Sequence, residues 1–242
     1  MLRLDRYLVT LGVGSRSEVQ KLIRKGGVKV NDAPVRDPGQ QVDEHSARLT
    51  VNGQALDGRL TRHVMLHKPA GLLTAARDKK QPTVMDLLPE VYGAIGCMPV
   101  GRLDKDTTGL LFLTTDGELN HRLLSPGRHV DKTYVAQVDG TLAESHVEAF
   151  ALGLHLSDFD AQPAKLEILG PQTGRVTVHE GKFHQVKRMF SAVGCEVTAL
   201  HRETFGSLTL DPALAPGDWR ELTAEEIAAL YNDAQMESKT DE

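Results

Sequence analysis

PVGRLDKDTTGLLFLTT, residues 99–115, is the stretch from which the rest of the chain can be read. Its second half, GLLFLTT, is an apolar run of strand length and reads as a buried β-strand. Its first half packs Arg102, Asp104, Lys105 and Asp106 between Gly101 on one side and Thr107, Thr108 and Gly109 on the other. A loop stiffened by hydroxyl side chains and feeding directly into a buried strand can hold one carboxylate at the mouth of a cleft. The same residues also make a tight turn closed by a salt bridge, and the stretch by itself does not choose between the two.

Working outward, strands and helices alternate without a βαβ rhythm. HVMLHKPAG (63–71) is a strand running into a Pro-Gly turn, and KTYVAQVDG (132–140) is a strand. AKLEILG and GRVTVHEG form a strand pair about Pro171–Gly174, and EVTALHRE and SLTL are two more strands. DGELNHRLLS, LAESHVEAFALG and FHQVKRMFSAVG have helical patterning, and Thr223 with Glu226 caps a last short helix. This mixture predicts an α+β fold with a large, mainly antiparallel mixed sheet flanked by helices.

Charge divides the chain. Residues 1–60 hold 10 Lys and Arg against 7 Asp and Glu, a net of +3; residues 61–242 hold 18 against 26, a net of −8. The total of −5 therefore hides a small basic module on a larger acidic body. A polyanion responds to the local patch rather than to the total. In that module Leu4, Leu8 and Leu11 mark a short amphipathic helix. Ser15–Glu18 is a capping box opening a second helix, whose buried stripe is Val19, Leu22 and Ile23. Arg16, Gln20 and Arg24 form one exposed row, and Ser17, Lys21 and Lys25 the next. Gly26-Gly27 stops the helix, and VKVNDAPV follows as strand, Asn-Asp turn and strand.

No run approaches the roughly 18 consecutive apolar residues of a membrane helix, and the charged N-terminus does not read as an export signal. Cys97 and Cys195 have no metal-ligand spacing, and the ten histidines form no HxxxH or Cys/His cluster. These features point to a reduced, cytoplasmic protein without a metal. No apolar interface stripe stands out, so a monomer is expected.

Two more stretches carry candidate chemistry. In Asp131-Lys132-Thr133-Tyr134 a tyrosine leads a strand; in EGKFHQVKRMF (180–190), helical spacing would bring His184, Lys187 and Arg188 together. Alone, these are half-buried packing and a basic helix turn. In order, GRLDKDTTGL, KTY, GKFHQVKRMFSAVG and LHRETFGSLTL, with HKPAG before them, resemble the pseudouridine synthases of the RsuA type over roughly residues 1–230. The order RLDRYL…SRSEVQKLIRKGGVKVND resembles the S4 RNA-binding domain over roughly residues 1–50.

The first resemblance implies that Asp104 is the catalytic aspartate and that Arg102 helps hold the target nucleotide out of its stack. It implies that Tyr134 stacks on the uracil, that Lys187 pairs with the aspartate, and that Leu200 and Arg202 line the pocket. The second implies two antiparallel helices and a small sheet that grip RNA phosphates through Arg3, Arg16, Lys21, Arg24 and Lys25. These residue types suit the chemistry. The N-glycosidic bond breaks, the base rotates and rejoins through C5, and neither redox change nor net hydrolysis occurs, so no cofactor is expected. A cation within about 4–6 Å keeps a partly dried carboxylate ionised. Stacking is worth about 1–3 kcal/mol, while extracting a base costs a few kcal/mol; Tyr134 alone does not cover that, and Arg102 is needed.

The expected partition is residues 1–60 for the S4 domain with its linker, 61–232 for the catalytic domain and 233–242 for a disordered polar tail. The expected function is isomerisation of uridine to pseudouridine in ribosomal RNA, at uridine 516 of 16S rRNA, within a small-subunit precursor particle. Modification of large-subunit (23S) rRNA, a non-catalytic rRNA-binding assembly factor and a nucleosidase-like hydrolase are the competing readings.

Overall fold

The computed structural model describes residues 1–236, which separate into two compact units. The first comprises Met1–Arg62 together with Leu88–Cys97; the second comprises His63–Leu87 and residues 98–236. The expected boundary at residue 60 lies close to the first crossing, but sequence periodicity gave no sign that the ten residues Leu88–Cys97 belong with the N-terminal part. Their helix, Glu90–Ala94, is too short to have a readable apolar stripe. It is joined to its unit by Ile95, which packs on that unit's core, and by Arg62 lying over the Tyr92 ring.

In the first unit, Leu4–Thr10 and Arg16–Arg24 are the two helices. Ser15 and Glu18 form the capping box, and Leu4, Leu8, Leu11, Val19 and Ile23 are buried in one core. Asn31 and Asp32 both take left-handed backbone angles (φ 50° and 67°), the geometry that joins Val28–Val30 to Ala33–Val35 in a tight hairpin. These strands extend into a four-stranded sheet with Leu49–Val51 and Gln54–Leu56.

The second unit is built on a nine-stranded sheet. Its main order is Lys165–Gly170, Thr173–Val178, Lys132–Val138, Val197–Phe205, Thr108–Thr114, His63–Lys68 and Trp219–Glu221. Every pairing is antiparallel except one: Val197–Phe205 runs parallel to Thr108–Thr114, with His201 opposite Thr108 and Arg202 opposite Gly109. At this junction only glycine fits. Gly109 has φ +106°, and a Cβ there would lie 2.3 Å from the Arg202 carbonyl oxygen. The Gly of the Asp-Thr-Thr-Gly sequence thus lets two central strands touch directly behind the Asp104 loop.

Helices Gly117–Leu124 and Ala224–Asp233 close one face over Phe112, Leu119, Leu123, Leu230 and Tyr231. Residues 233–236, expected in the tail, belong to the structured part of the second unit. Asp233 is the last residue of its helix, Ala234 is fully buried and Met236 packs on the core; residues 237–242 lie outside the described residues.

Candidate active site

Asp104 sits on a loop whose backbone is fixed from both sides. Thr74 Oγ1 donates to the Leu103 carbonyl at 2.8 Å and accepts from the Leu103 amide at 3.3 Å. On the other side the Lys68 ammonium, fully buried, donates to the carbonyls of Pro69, Lys105 and Thr107 at 3.1, 3.2 and 2.9 Å. Gly71 N–H adds a bond to the Lys105 carbonyl at 2.7 Å. Burial pulls the Lys68 pKa down to about 8, with the Asp106 and Asp104 carboxylates working in the opposite direction. Its caging by three carbonyls is the reason a cation can occupy an otherwise dry position. Lys68 stands in the HKPAG stretch, which in sequence is a strand, a turn and part of the family resemblance, with no role attached to the lysine; its place beside an apolar strand's turn is the available signal.

The Asp104 carboxylate, one-quarter exposed, faces two cationic or potentially cationic groups. Lys187 Nζ lies 3.2 Å from its Oδ2, and His184 Nε2 lies 3.4 Å from its Oδ1. Lys187 is shared: its ammonium is closer to Asp106 Oδ1, at 2.6 Å. Burial opposes the Lys187 charge, but the Asp106 and Asp104 carboxylates outweigh it and raise its pKa above the ordinary lysine value. The hydrogen bond from Lys187 in turn holds Asp106 below its ordinary value. Arg188, expected alongside, points elsewhere: it pairs with Asp158 and Ser157 and lies over the Phe159 ring, 4.8 Å from its centroid.

A small pocket beside Asp104 is walled by Tyr134, Leu200, Val178, Val186 and Lys187, with Arg102 at its rim. Tyr134 is buried there, its strand held between Val176 and Arg202. Arg102 is exposed at the mouth of the small pocket and of a larger cleft of about 970 Å³. Arg202 does not line either, contrary to the sequence expectation. It is fully buried: its Nε donates to the Leu110 carbonyl at 2.8 Å, and its guanidinium lies over Phe205. Its position opposite Gly109 puts it inside the sheet, where it supports the strand that leaves the Asp104 loop. Lys132, from the KTY stretch, is also buried; it donates to the Val130 carbonyl at 2.7 Å and reaches the cleft wall. Burial, then the Arg202 charge, lowers its pKa to about 8.

The segment before the Gln185–Ala192 helix departs from expectation. The helix begins at Gln185 rather than at Phe183, and His184 takes a left-handed backbone (φ 49°) as its N-cap. Buried Gln185 accepts from the Lys182 amide and donates to Glu180, which closes the 180–185 loop and turns His184 toward Asp104. In the N-terminal unit Arg16, Lys21, Arg24 and Lys25 are all exposed. Arg3 makes two bonds to the fully buried Asp5, which also accepts from Gln20 and lies 3.9 Å from Arg16. Among the described residues no group of three or more His, Cys, Asp or Glu side chains is arranged to hold a metal.

The family model for RNA pseudouridylate synthase matches residues 62–192, and that for the S4 domain matches residues 2–47. A ribosomal small subunit pseudouridine synthase A from Pseudomonas aeruginosa is 44% identical over 235 residues, covering 95% of this chain and all of the relative. A Bacillus subtilis protein described as an uncharacterized RNA pseudouridine synthase, YtzG, is 42% identical over 234 residues, covering 95% of this chain and 98% of the relative. A crystal structure of a pseudouridylate synthase superimposes with a TM-score of 0.67 at 36% identity, over 95% of this chain and all of the solved one.

Proposed function

We propose that this chain, which belongs to the RsuA-type RNA pseudouridine synthases and carries an S4 domain at its N-terminus, modifies small-subunit ribosomal RNA, at uridine 516 of the 16S molecule. The full-length relative named for the small subunit supports that choice of RNA. The observation that carries the chemistry is the Asp104–Lys187 pair, 3.2 Å apart, in a pocket walled by Tyr134 and Leu200.

In this reading the target uridine leaves its stack and enters the small pocket. Tyr134 and Leu200 hold the flat base, and Arg102 at the rim fills the space the base has left. Asp104 is the reactive carboxylate, engaging the sugar or the base as the N1–C1′ bond breaks. The detached uracil turns within the pocket and C5 bonds to C1′; the C5 proton is then lost and N1 takes one up, so that the product is an isomer of the substrate. Lys187 and His184 keep the carboxylate oriented, and the Lys68 cage keeps its backbone from yielding. Arg202 and Lys132 act behind the pocket wall as positioning residues. Arg3, Arg16, Lys21, Arg24 and Lys25 contact phosphates, which position the protein without reading sequence. The protein acts as a monomer in the cytoplasm on a small-subunit precursor particle. Two free, buried cysteines agree with a reducing compartment, and no described helix is long and apolar enough to cross a membrane.

The test is to map pseudouridines in total rRNA from cells with and without the protein, and from cells carrying Asp104→Asn. Loss of one small-subunit pseudouridine in both deficient strains is expected. Loss from 23S rRNA instead, or purified Asp104→Asn with more than about a tenth of wild-type turnover, defeats the reading; general-base or nucleophile removal costs about a hundredfold or more.

A further inference from the structure

Phe183 is the sole exposed Phe, Tyr or Trp among the described residues: 71% of its surface faces solvent, in a cleft that binds a polyanion if the proposed function holds. Exposed aromatic surface is unfavourable unless something covers it. The ring is not loose. It stacks face to face on the His184 imidazole, with centroids 3.8 Å apart and planes 17° from parallel. His184 is itself set by its left-handed backbone and by its contact with Asp104, and the loop under both is tied shut by Gln185. One face of Phe183 is therefore covered, and the other is presented, rigid, to the cleft.

The location separates this ring from the target pocket. Tyr134 and Leu200 line the small pocket with Asp104; Phe183 lines the larger cleft and not the small pocket. His184 links the two: its Nε2 lies 3.4 Å from the Asp104 carboxylate and its ring 3.8 Å from that of Phe183, so the ring stands next to the pocket. Lys105, Lys182 and Arg102 share that cleft. A flat aromatic face among cations is how proteins hold unpaired nucleotides: the cations follow phosphates and the ring takes a base. A protein partner would find one ring among charges, a poor anchor compared with a buried apolar cluster.

We propose that Phe183, backed by His184, is the stacking platform for the nucleobase adjacent to the target uridine, so that the enzyme holds two successive bases, one in the pocket and one on this ring. The proposal rests on the reading of the chain as an enzyme that extracts a uridine from RNA. It assigns Phe183 a specificity role: the neighbour must be unpaired, or able to unpair, and its stacking helps offset the cost of extracting the target.

The test uses the full chain and a small-subunit rRNA fragment containing the target. 5-Iodouridine replaces the 5′ neighbour in one RNA and the 3′ neighbour in another, and after irradiation the crosslinked peptide is identified by mass spectrometry. A crosslink to Phe183 from one of the two positions, lost in Phe183→Leu, is expected. In parallel, single-turnover rates are measured on intact RNA and on RNA abasic at that position. Phe183→Leu lowers the rate about tenfold on intact RNA, Phe183→Tyr restores it, and on abasic RNA the wild type and Phe183→Leu become equal. An equal drop on both RNAs, or no crosslink to Phe183 from either neighbour, overturns the platform. Because crosslinking needs binding and not catalysis, it decides the platform even if the wild type forms no pseudouridine, an outcome that would defeat the reading of function instead.

Discussion

The two units differ in the charge they bury most completely. In the N-terminal unit a single carboxylate, Asp5, is fully buried and the cations around it are exposed. In the second unit three cations, Lys68, Lys132 and Arg202, are buried, and the carboxylate of Asp104 is reachable from a cleft. The difference follows from what each must hold. A surface that grips phosphates needs its positive ends in water, and one buried anion can orient several of them. A reactive carboxylate needs a backbone that does not move, and buried ammonium and guanidinium groups fix backbone by donating to carbonyls that would otherwise lack partners.

The largest expected effect tests Lys187, the cation against Asp104. Lys187→Met removes the bridge between Asp104 and Asp106 and lowers turnover about a hundredfold with little change in RNA affinity. Asp106→Asn, by contrast, costs about threefold or less if the bridge serves Asp104. Equal losses in the two variants, measured under single-turnover conditions, would make Asp106 a second essential carboxylate. Next is the exposed set. Changing Arg16, Lys21, Arg24 and Lys25 together to Gln weakens RNA binding about thirtyfold at moderate salt and reduces the slope of log affinity against log salt by about 3. The rate at saturating RNA should hardly change, and an unaltered slope would make that helix face ordinary solvated surface.

Smaller effects follow from the buried groups. Lys68→Met removes the donor shared by three carbonyls and lowers turnover about tenfold, with a stability loss of about 2 kcal/mol. Its pH dependence has a definite sign. The folded value, about 8, lies below the ordinary 10.5, so the unfolded chain holds that proton more tightly. Wild type therefore gains stability relative to Lys68→Met as pH rises from about 8 toward 10.5, and urea midpoints across that window check it. Asp5→Asn weakens RNA binding about threefold through loosened arginines. The Arg3 hydrogen bond, acting against burial and aided by Gln20, holds Asp5 well below the usual carboxylate range. Its contribution to stability is complete above the ordinary aspartate value and fades as pH falls below it, so the gap between variant and wild type should close in acid.

Sequence patterning revealed elements whose causes are local. The Ser15–Glu18 box, the Asn31–Asp32 hairpin and the Thr223–Glu226 cap depend on residues within three positions of one another. Asp104, Tyr134, Lys187 and Leu200 could be grouped through a family resemblance, and the structure gathers them around one pocket. What sequence did not show was decided by distant neighbours. Lys68 is important because of carbonyls 37 and 39 residues away. Arg202 is buried because a parallel strand crosses at Gly109. His184 faces Asp104 because Gln185 closes its loop, which stops the helix short of a periodicity that includes Phe183.

The return of Leu88–Cys97 to the first unit has a consequence for how the chain is made. A polypeptide leaves the ribosome from its N-terminus, so residues 1–62 emerge without the segment that carries Ile95 and the Tyr92 ring under Arg62. That segment follows only after His63–Lys68, the first strand of the other unit's sheet, has emerged without any of its strand neighbours. The leading module therefore waits, unfinished, for a piece synthesised after the second has begun. A fragment ending at residue 62 should be less stable than the same unit in the whole chain, and no single backbone cut can release one unit from the other.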